Sequence, residues 1–371
     1  MTSLYLKGTP TMRLRPSSAD IWSNCAAQPA LLERLARPNQ TSDEAMEGTC
    51  AAWLADEMIR HGLVDAKDMV GEVCPENNWI VDHEMARHIQ KYVDMIRERG
   101  GDIFTERKVI LNEHIQGTCD TFSVLTGDTL YVDDLKYGYG IVSPHTKQLV
   151  AYGGAIIREL RDCFAPTYIQ LGIYQPRALH HDGIYRTRKL TVAKFNEEVD
   201  RLIRVGERCQ DTDAFAKPGK HCKHCPVADS CSALGFEIYD IYSMVLGKAM
   251  RNPTIQELAD EKTFLVRAEA MLKGRINATD AEMNARMDSG KNIPGWTRKS
   301  SKGNRRWKVS SNTVKFMTGV DPTSGAMVTP AALERLGADL DIVKTLVEQP
   351  TTKAKLVPFT AEDVARKFGE S

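Results

Sequence analysis

The sequence predicts an α/β core followed by a mostly helical C-terminal region. Three observations carry this. Alternating or β-branched segments cluster between residues 104 and 190, with one helical segment among them. Helical periodicity leads into that cluster from residue 41 and leaves it at residue 192. After Cys231 the character changes, and a long amphipathic stretch runs from Thr254 to about Met287. Strands, a helix and a strand again make a layered core of roughly 130 residues.

The elements follow in order. Residues 1–40 are irregular and then briefly helical, broken at Pro16, Pro29 and Pro38. A helix is expected from Thr41, which has capping-box spacing to Glu44, through an Ala-, Glu-, Met- and Leu-rich run to Arg60, with Gly62 stopping it. A second is expected over Trp79 to Arg99, where Ile80, Val81, Met85, Ile89, Val93 and Ile96 recur at helical spacing before Gly100-Gly101. Strands are expected at Phe104–Leu111, Thr118–Leu125 and Thr129–Leu135, the last after the turn Thr126-Gly127-Asp128. A helix over Thr146 to Arg161 precedes a strand at Tyr168–Tyr174, which ends at Gln175-Pro176-Arg177. A strand near Gly183–Leu190 leads into a helix over Val192 to Cys209. Beyond the long amphipathic stretch come a basic segment and helices near Pro330–Glu348 and Thr360–Phe368. The chain divides into an N-terminal segment (1–40), a core (41–235) and a C-terminal region (236–371), with the boundary near residues 235–250.

With 371 residues, 42% hydrophobic and 26% charged, the composition is that of a globular protein. No run of 18 apolar residues exists, and Met1 to Arg15 lacks the pattern of an export signal, so a cytoplasmic location is expected. Formal net charge is zero, so nucleic-acid binding would need local basic patches rather than a global field. Nine cysteines in such a compartment read as metal ligands where they cluster, not as disulfides.

The chemistry-bearing residues converge on two strands. Gly117-Thr118-Cys119-Asp120 enters one, and Asp134-Leu135-Lys136 ends the next. Side chains alternate along a strand, so Asp134 and Lys136 share a face. If the two strands pair as a hairpin, Asp120 faces that pair. Carboxylates hold a hard divalent cation such as Mg²⁺ or Mn²⁺, and a lysine can orient a water and offset charge developing on a phosphate. An acid-x-Lys match alone is weak, since about three arise by chance in a chain this charged. Context strengthens it: the match sits at a strand end after Gly-x-x-Asp, and Gln148 and Tyr152 follow on one face of a helix.

This order and spacing resembles the RecB-like branch of the PD-(D/E)XK nucleases over about residues 13–235. The resemblance implies a restriction-endonuclease-like core, a mixed central sheet flanked by helices. It implies Asp120, Asp134 and the Leu135 carbonyl as metal ligands, Lys136 acting on the attacking water, and Gln148 and Tyr152 lining the DNA path. One departure stands out: Gly48-Thr49-Cys50-Ala51-Ala52 puts alanine where the family often has a ligand histidine. Glu47 is the expected replacement, with Glu44 a weaker choice and Glu106 a possible support.

Cys222-x2-Cys225-x5-Cys231 places three thiols within reach of one metal centre, and Cys25 is the candidate fourth ligand. The same resemblance implies a [4Fe–4S] cluster held by one cysteine before the core and three after it. Zn²⁺, with His221 or His224 as a ligand, is the alternative. Pro16-Ser17-Ser18 and Glu47-Gly48-Thr49 also resemble a phage and prophage family. His180-His181 reads as a loop pair.

From Trp296 to Lys308, the cations Arg298, Lys299, Lys302, Arg305, Arg306 and Lys308 lie between Trp296 and Trp307. Cations neutralise phosphates and tryptophans stack on bases, so this segment, with Arg177, Tyr152 and the 136–140 loop, is a candidate DNA-binding surface. The segment also reads as an exposed β-hairpin turning at Lys302-Gly303-Asn304. The functional expectation is a metal-dependent DNA exonuclease in phage recombination or replication; the family resemblance implies resection of duplex ends, working with a single-strand annealing protein. Alternatives are an inactive nuclease fold that binds or scaffolds DNA, suggested by Ala52, and a structure-specific endonuclease.

Overall fold

The structure is a computed structural model that describes residues 12–35, 42–124, 128–178, 180–246, 254–300, 306–307, 309, 311–322, 329–349 and 354–358. The chain splits into two compact units, 1–279 and 280–371.

The first unit is built on one five-stranded sheet. After the short helices α1 (Ala19–Trp22) and α2 (Gln28–Leu35) come α3 (Asp43–His61) and α4 (His83–Arg99), then β1 (Asp102–Ile110), β2 (Gln116–Val124) and β3 (Thr129–Leu135). Helix α5 (Lys147–Leu160) crosses to β4 (Tyr168–Tyr174), and β5 (Tyr185–Thr191) runs into α6 (Val192–Arg208). The strand order is β1-β2-β3-β4-β5; only the β3–β4 pair, joined through α5, is parallel. A parallel pair needs such a crossover, whereas antiparallel neighbours can be joined without one.

Helices cover both faces. On one side α5 and α6 bury Leu149, Val150, Ile156, Phe195 and Val199 against Val132, Ile169 and Leu171. On the other, α3 and α4 bury Leu54, Met58, Ile89 and Val93 with Leu135 and Tyr174. β3 is therefore largely buried on both faces, and its two acidic residues look opposite ways. Asp133 faces α4 and is held by Arg99 Nη1 at 2.5 Å and the Tyr185 hydroxyl at 2.7 Å; Asp134 faces α5.

Element boundaries depart from the sequence reading where side chains cap helices. α3 is capped by Ser42, whose hydroxyl accepts from Ala45 N–H at 3.2 Å, rather than through the expected Thr41 box; Thr41 lies outside the described residues. α4 begins at His83, not Trp79, because Asp82 accepts from Met85 N–H at 2.8 Å while Cys74 N–H takes the Trp79 carbonyl. Leu125 and most of the turn after it lie outside the described residues.

Past the core, α7 (Ser232–Leu246), which the sequence reading lacked, and α8 (Ile255–Asp288) follow. Gly274 lets α8 approach the Cys222 backbone, where a Cβ would stand 2.0 Å from the carbonyl oxygen. Arg275 Nη1 donates to Ala228 O at 2.8 Å and Cys231 O at 3.3 Å. The first part of α8 thus closes over the cysteine segment, and the division between the units falls within α8.

The second unit holds β6 (Trp296–Lys299), β7 (Arg306–Trp307), α9 (Ser311–Thr318), α10 (Pro330–Arg335), α11 (Leu340–Leu346), β8 (Val347–Glu348) and β9 (Lys355–Pro358). Among the described residues β6 pairs with β9 and β7 with β8; the turn expected at Lys302-Gly303-Asn304 lies outside them. The helix expected over 330–348 is two, interrupted at Gly337, whose φ of 95° no helix accommodates. The helix expected at 360–368 lies outside the described residues. Among the described residues, no helix is long and apolar enough to cross a membrane.

Candidate active site

The backbone ladder between β2 and β3 ends at the pair Thr121–Asp133. One residue further, the strands part, and Asp120 and Asp134 stand on either side of the fork. In place of the missing ladder bond, Asp120 Oδ2 accepts the Leu135 N–H at 2.9 Å. A strand residue directs its N–H and C=O to the same edge, so the Leu135 carbonyl also faces this fork.

β1 adds a third acid at the same level. Thr105 pairs with Thr121, and Arg107 with Cys119, so Glu106 stands opposite Asp120 with its own pairing interrupted. Its φ is 46°, in the left-handed region that a glutamate rarely adopts. Glu106, Asp120 and Asp134 thus stand in a row by backbone register across three adjacent strands, with carboxylate oxygens that do not all lie within 4.8 Å of one another.

α5 supplies the other wall. Gln148 Nε2 donates to Asp134 Oδ1 at 2.7 Å and to the Tyr152 hydroxyl at 3.2 Å; its Oε1 accepts from Lys136 Nζ at 3.1 Å. The amide is therefore held in one orientation by three partners. Lys136 Nζ lies 3.1 Å from Asp134 Oδ1 and 2.8 Å from Oδ2, yet Oδ2 is buried with no hydrogen bond of acceptable geometry.

The N-terminal segment fixes α5 in place. Thr146 caps the helix, and Asp20 accepts from the Thr146 hydroxyl and, at 3.1 Å, from Lys147 N–H. Gly117, the glycine of Gly-x-x-Asp, is required by Pro16: a Cβ there would meet Pro16 Cδ at 2.8 Å. Asp20 was not among the residues singled out from sequence, although its place just after Pro16-Ser17-Ser18 was a usable signal.

The electrostatics are those of a site short of positive charge. Burial, then the charge of Asp134, pushes the Asp120 carboxyl up to about 8, with Lys136 opposing. Burial also raises Asp134, again against Lys136. Glu106 is pushed up to about 7 by burial and by Asp56 and Glu76. Burial by itself would lower Lys136, but Asp134 and Asp120 outweigh it and hold the ammonium above the usual lysine range.

Other predicted residues sit elsewhere. Both oxygens of Glu47 are occupied by Arg177, with Nη1–Oε2 and Nη2–Oε1 each 2.6 Å, so the expected replacement for the histidine is an ion-pair partner. Arg177 is equally committed, buried with Glu84 at 3.5 Å and stacked over Tyr137 at 4.1 Å, so it is not a free phosphate contact. Tyr152 is buried, and its hydroxyl accepts from Gln148 Nε2. Arg298 is engaged with Asn284 and Asp288. Lys299 lies on β6, and Arg306 and Trp307 form β7; Lys302 and Arg305 lie outside the described residues. His180, His181 and Asp182 offer ligand atoms within 4.8 Å of one another, but they are neighbours on one loop, with the two rings stacked at 4.2 Å.

Cys25, Cys222, Cys225 and Cys231 line one pocket, together with His221. Backbone N–H groups donate to three of the sulfurs: Lys217 to Cys25 and Gly219 to Cys222, both at 3.4 Å, and Val227 to Cys225. Burial and the neighbouring sulfurs push Cys225 up to about 12 and raise Cys222. Burial thus favours the neutral thiol at Cys222 and Cys225, and a nearby cation would reverse that preference.

A family model described as a protein of unknown function (DUF2800) matches residues 12–363. Among solved structures, a proposed exonuclease from Eubacterium rectale is similar with a TM-score of 0.35 and 9% identity, over 66% of this chain and 91% of that one. An alkaline exonuclease from Laribacter hongkongensis is similar with a TM-score of 0.27 and 13% identity, over 54% of this chain and 91% of that one.

Proposed function

The chain belongs to the DUF2800 family, and from the geometry of its site we propose that it is a divalent-metal-dependent DNA exonuclease. The observation that carries the reading is the row Glu106–Asp120–Asp134 at the strand fork, with Lys136 bound to its buried end.

The residues fit a hard cation such as Mg²⁺ or Mn²⁺. All donors are oxygens, one buried carboxylate oxygen has only the Lys136 ammonium beside it, and burial raises two carboxyls to where they hold protons near neutrality. Asp120, Asp134 and the Leu135 carbonyl would hold the ion, and Glu106 takes the place proposed for Glu47. When bound, the ion supplies charge neutralisation at the phosphate and lowers the pKa of a water. Gln148 aligns Asp134 and Lys136 with respect to each other. Lys136 presents a fixed ammonium, able to donate to a phosphate oxygen or to the attacking water. Tyr152 and the Leu149 side of α5 exclude solvent behind the row.

The four cysteines fit a thiolate-bound centre, a [4Fe–4S] cluster or, as the alternative, Zn²⁺. Its part here is structural: it would join the N-terminal segment, which orders α5 through Asp20, to the segment closed over by α8.

Purified protein given Mg²⁺ or Mn²⁺ should degrade linear duplex or single-stranded DNA and spare closed circles. Asp120→Ala and Lys136→Ala should each abolish this. Cleavage undiminished in both variants removes the assignment, and equal cleavage of closed circles makes the enzyme an endonuclease.

A further inference from the structure

The loop after the catalytic lysine carries two large apolar side chains in the open, Tyr139 at 68% exposure and Ile141 at 60%. Their neighbour Tyr137 is only 3% exposed. Exposed loop residues are ordinarily free to move, but this loop is pinned from beneath by two buried side chains. Gln175 Nε2 donates to the carbonyls of Gly138 at 2.9 Å and Gly140 at 2.7 Å, and its Oε1 accepts from Val142 N–H at 3.1 Å. Arg186 Nη2 donates to Val142 O at 2.9 Å and to Gln175 Oε1 at 2.6 Å. Two buried polar side chains are thus spent on fixing a loop whose tips touch solvent.

Tyr139 is also backed by a fixed cation. The Arg177 guanidinium lies 5.2 Å from its ring centroid and cannot swing away, because Glu47 binds it through two oxygens. A ring with a cation on one side and solvent on the other is a stacking surface for a flat π-system. Tyr139 is three residues from Lys136, a reach of at most about 11 Å. Nucleotides of a stacked strand are spaced at about 3.4 Å, so the two Cα atoms are at most about three of them apart, and fewer along an extended single strand.

Resting on the nuclease reading above, we infer that Tyr139, with Ile141 beside it, is a base-stacking platform. It takes a nucleobase of the strand being cut, within about three nucleotides of the attacked phosphate. The residue gives the site a grip on an unpaired base that the carboxylate row, which addresses only a phosphate, lacks. Stacking reads no sequence, so the platform favours frayed or single-stranded ends without selecting a base.

The test uses the full chain, oligonucleotides with 2-aminopurine at each of the first six positions from an end, and Ca²⁺ in place of Mg²⁺. Quenching at one or two positions is expected in the wild-type protein, lost in Tyr139→Ala and kept in Tyr139→Phe and Tyr139→Trp. With Mg²⁺, Tyr139→Ala should raise KM about 5- to 150-fold, more than it lowers kcat, from the range measured for base stacking. An unchanged melting temperature shows that the variant folds. Quenching that persists in Tyr139→Ala overturns the proposal, as does a change of oligomeric state on substitution, which would make the loop a contact between protein copies. If the wild-type protein quenches through Tyr139 but cuts nothing, the nuclease reading fails, and Tyr139 stands as a base-stacking site without a cut strand.

Discussion

Replacing Asp120 by Asn should make the metal-free protein more stable, not less. Burial and the adjacent Asp134 raise the Asp120 carboxyl to about 8; in the unfolded chain it sits near 3.9, as an approximate reference value. A carboxyl raised on folding costs nothing at low pH, where both states hold the proton. The cost grows as pH rises from the unfolded value, by about 1.4 kcal/mol per unit, and levels off above the folded value. At pH 7 this amounts to about 4 kcal/mol for a fully desolvated group, and to roughly 2–4 kcal/mol here, since Asp120 keeps part of its surface open to water. Asparagine removes the charge and keeps an oxygen for the Leu135 N–H. Urea or thermal unfolding in EDTA from pH 4 to 9 should therefore show the variant level with the wild type at about pH 4 and increasingly ahead of it up to about pH 8. Adding Mn²⁺ should raise the wild-type melting temperature and leave the variant's nearly unmoved, because a bound ion stabilises only the fold that holds it. A variant less stable than the wild type throughout, or a gap that does not change with pH, would refute the electrostatic account of the site.

Glu106→Gln should weaken Mn²⁺ binding about tenfold by calorimetry, the loss of roughly 1.4 kcal/mol, and unchanged affinity would leave Glu106 outside the metal's reach. Glu47→Gln should do the reverse. It breaks the paired contact with Arg177 and costs roughly 3 kcal/mol of stability, while Mn²⁺ affinity holds; a collapse of affinity at constant stability would restore Glu47 as a ligand. Protein purified without oxygen should be brown, absorbing near about 400 nm, and Cys225→Ser should lose the colour and the bound metal; a colourless, zinc-loaded wild type decides for Zn²⁺.

The Asp134-Leu135-Lys136 triplet was legible because strand alternation fixes which residues share a face, and Gly117 to Asp120 because a glycine and an acid at that spacing entered a neighbouring strand. Gln148 and Tyr152 were legible as one helical face, but not in their roles. Whether a side chain at i,i+4 meets a ligand or a neighbouring carboxylate depends on how deeply the helix is seated. The pairing of Glu47 was not legible, because helical position alone does not reveal that an arginine 130 residues later binds both its oxygens. The pairing of the basic segment was hidden similarly: the 296–299 strand finds its partner at 355–358, beyond any local turn signal. Ser42 and Asp82 show why helix starts drifted, since adjacent polar residues compete for the cap and the surrounding chain selects among them.

By itself the sequence determined the strand periods, the core helices and the residue types able to hold a divalent ion, because these follow from local spacing and donor chemistry. Only the tertiary structure decided which acids share a row. That choice is made by register across β1, β2 and β3 and by the point where the β2–β3 ladder stops, and pairing between distant segments is settled by packing on both sheet faces.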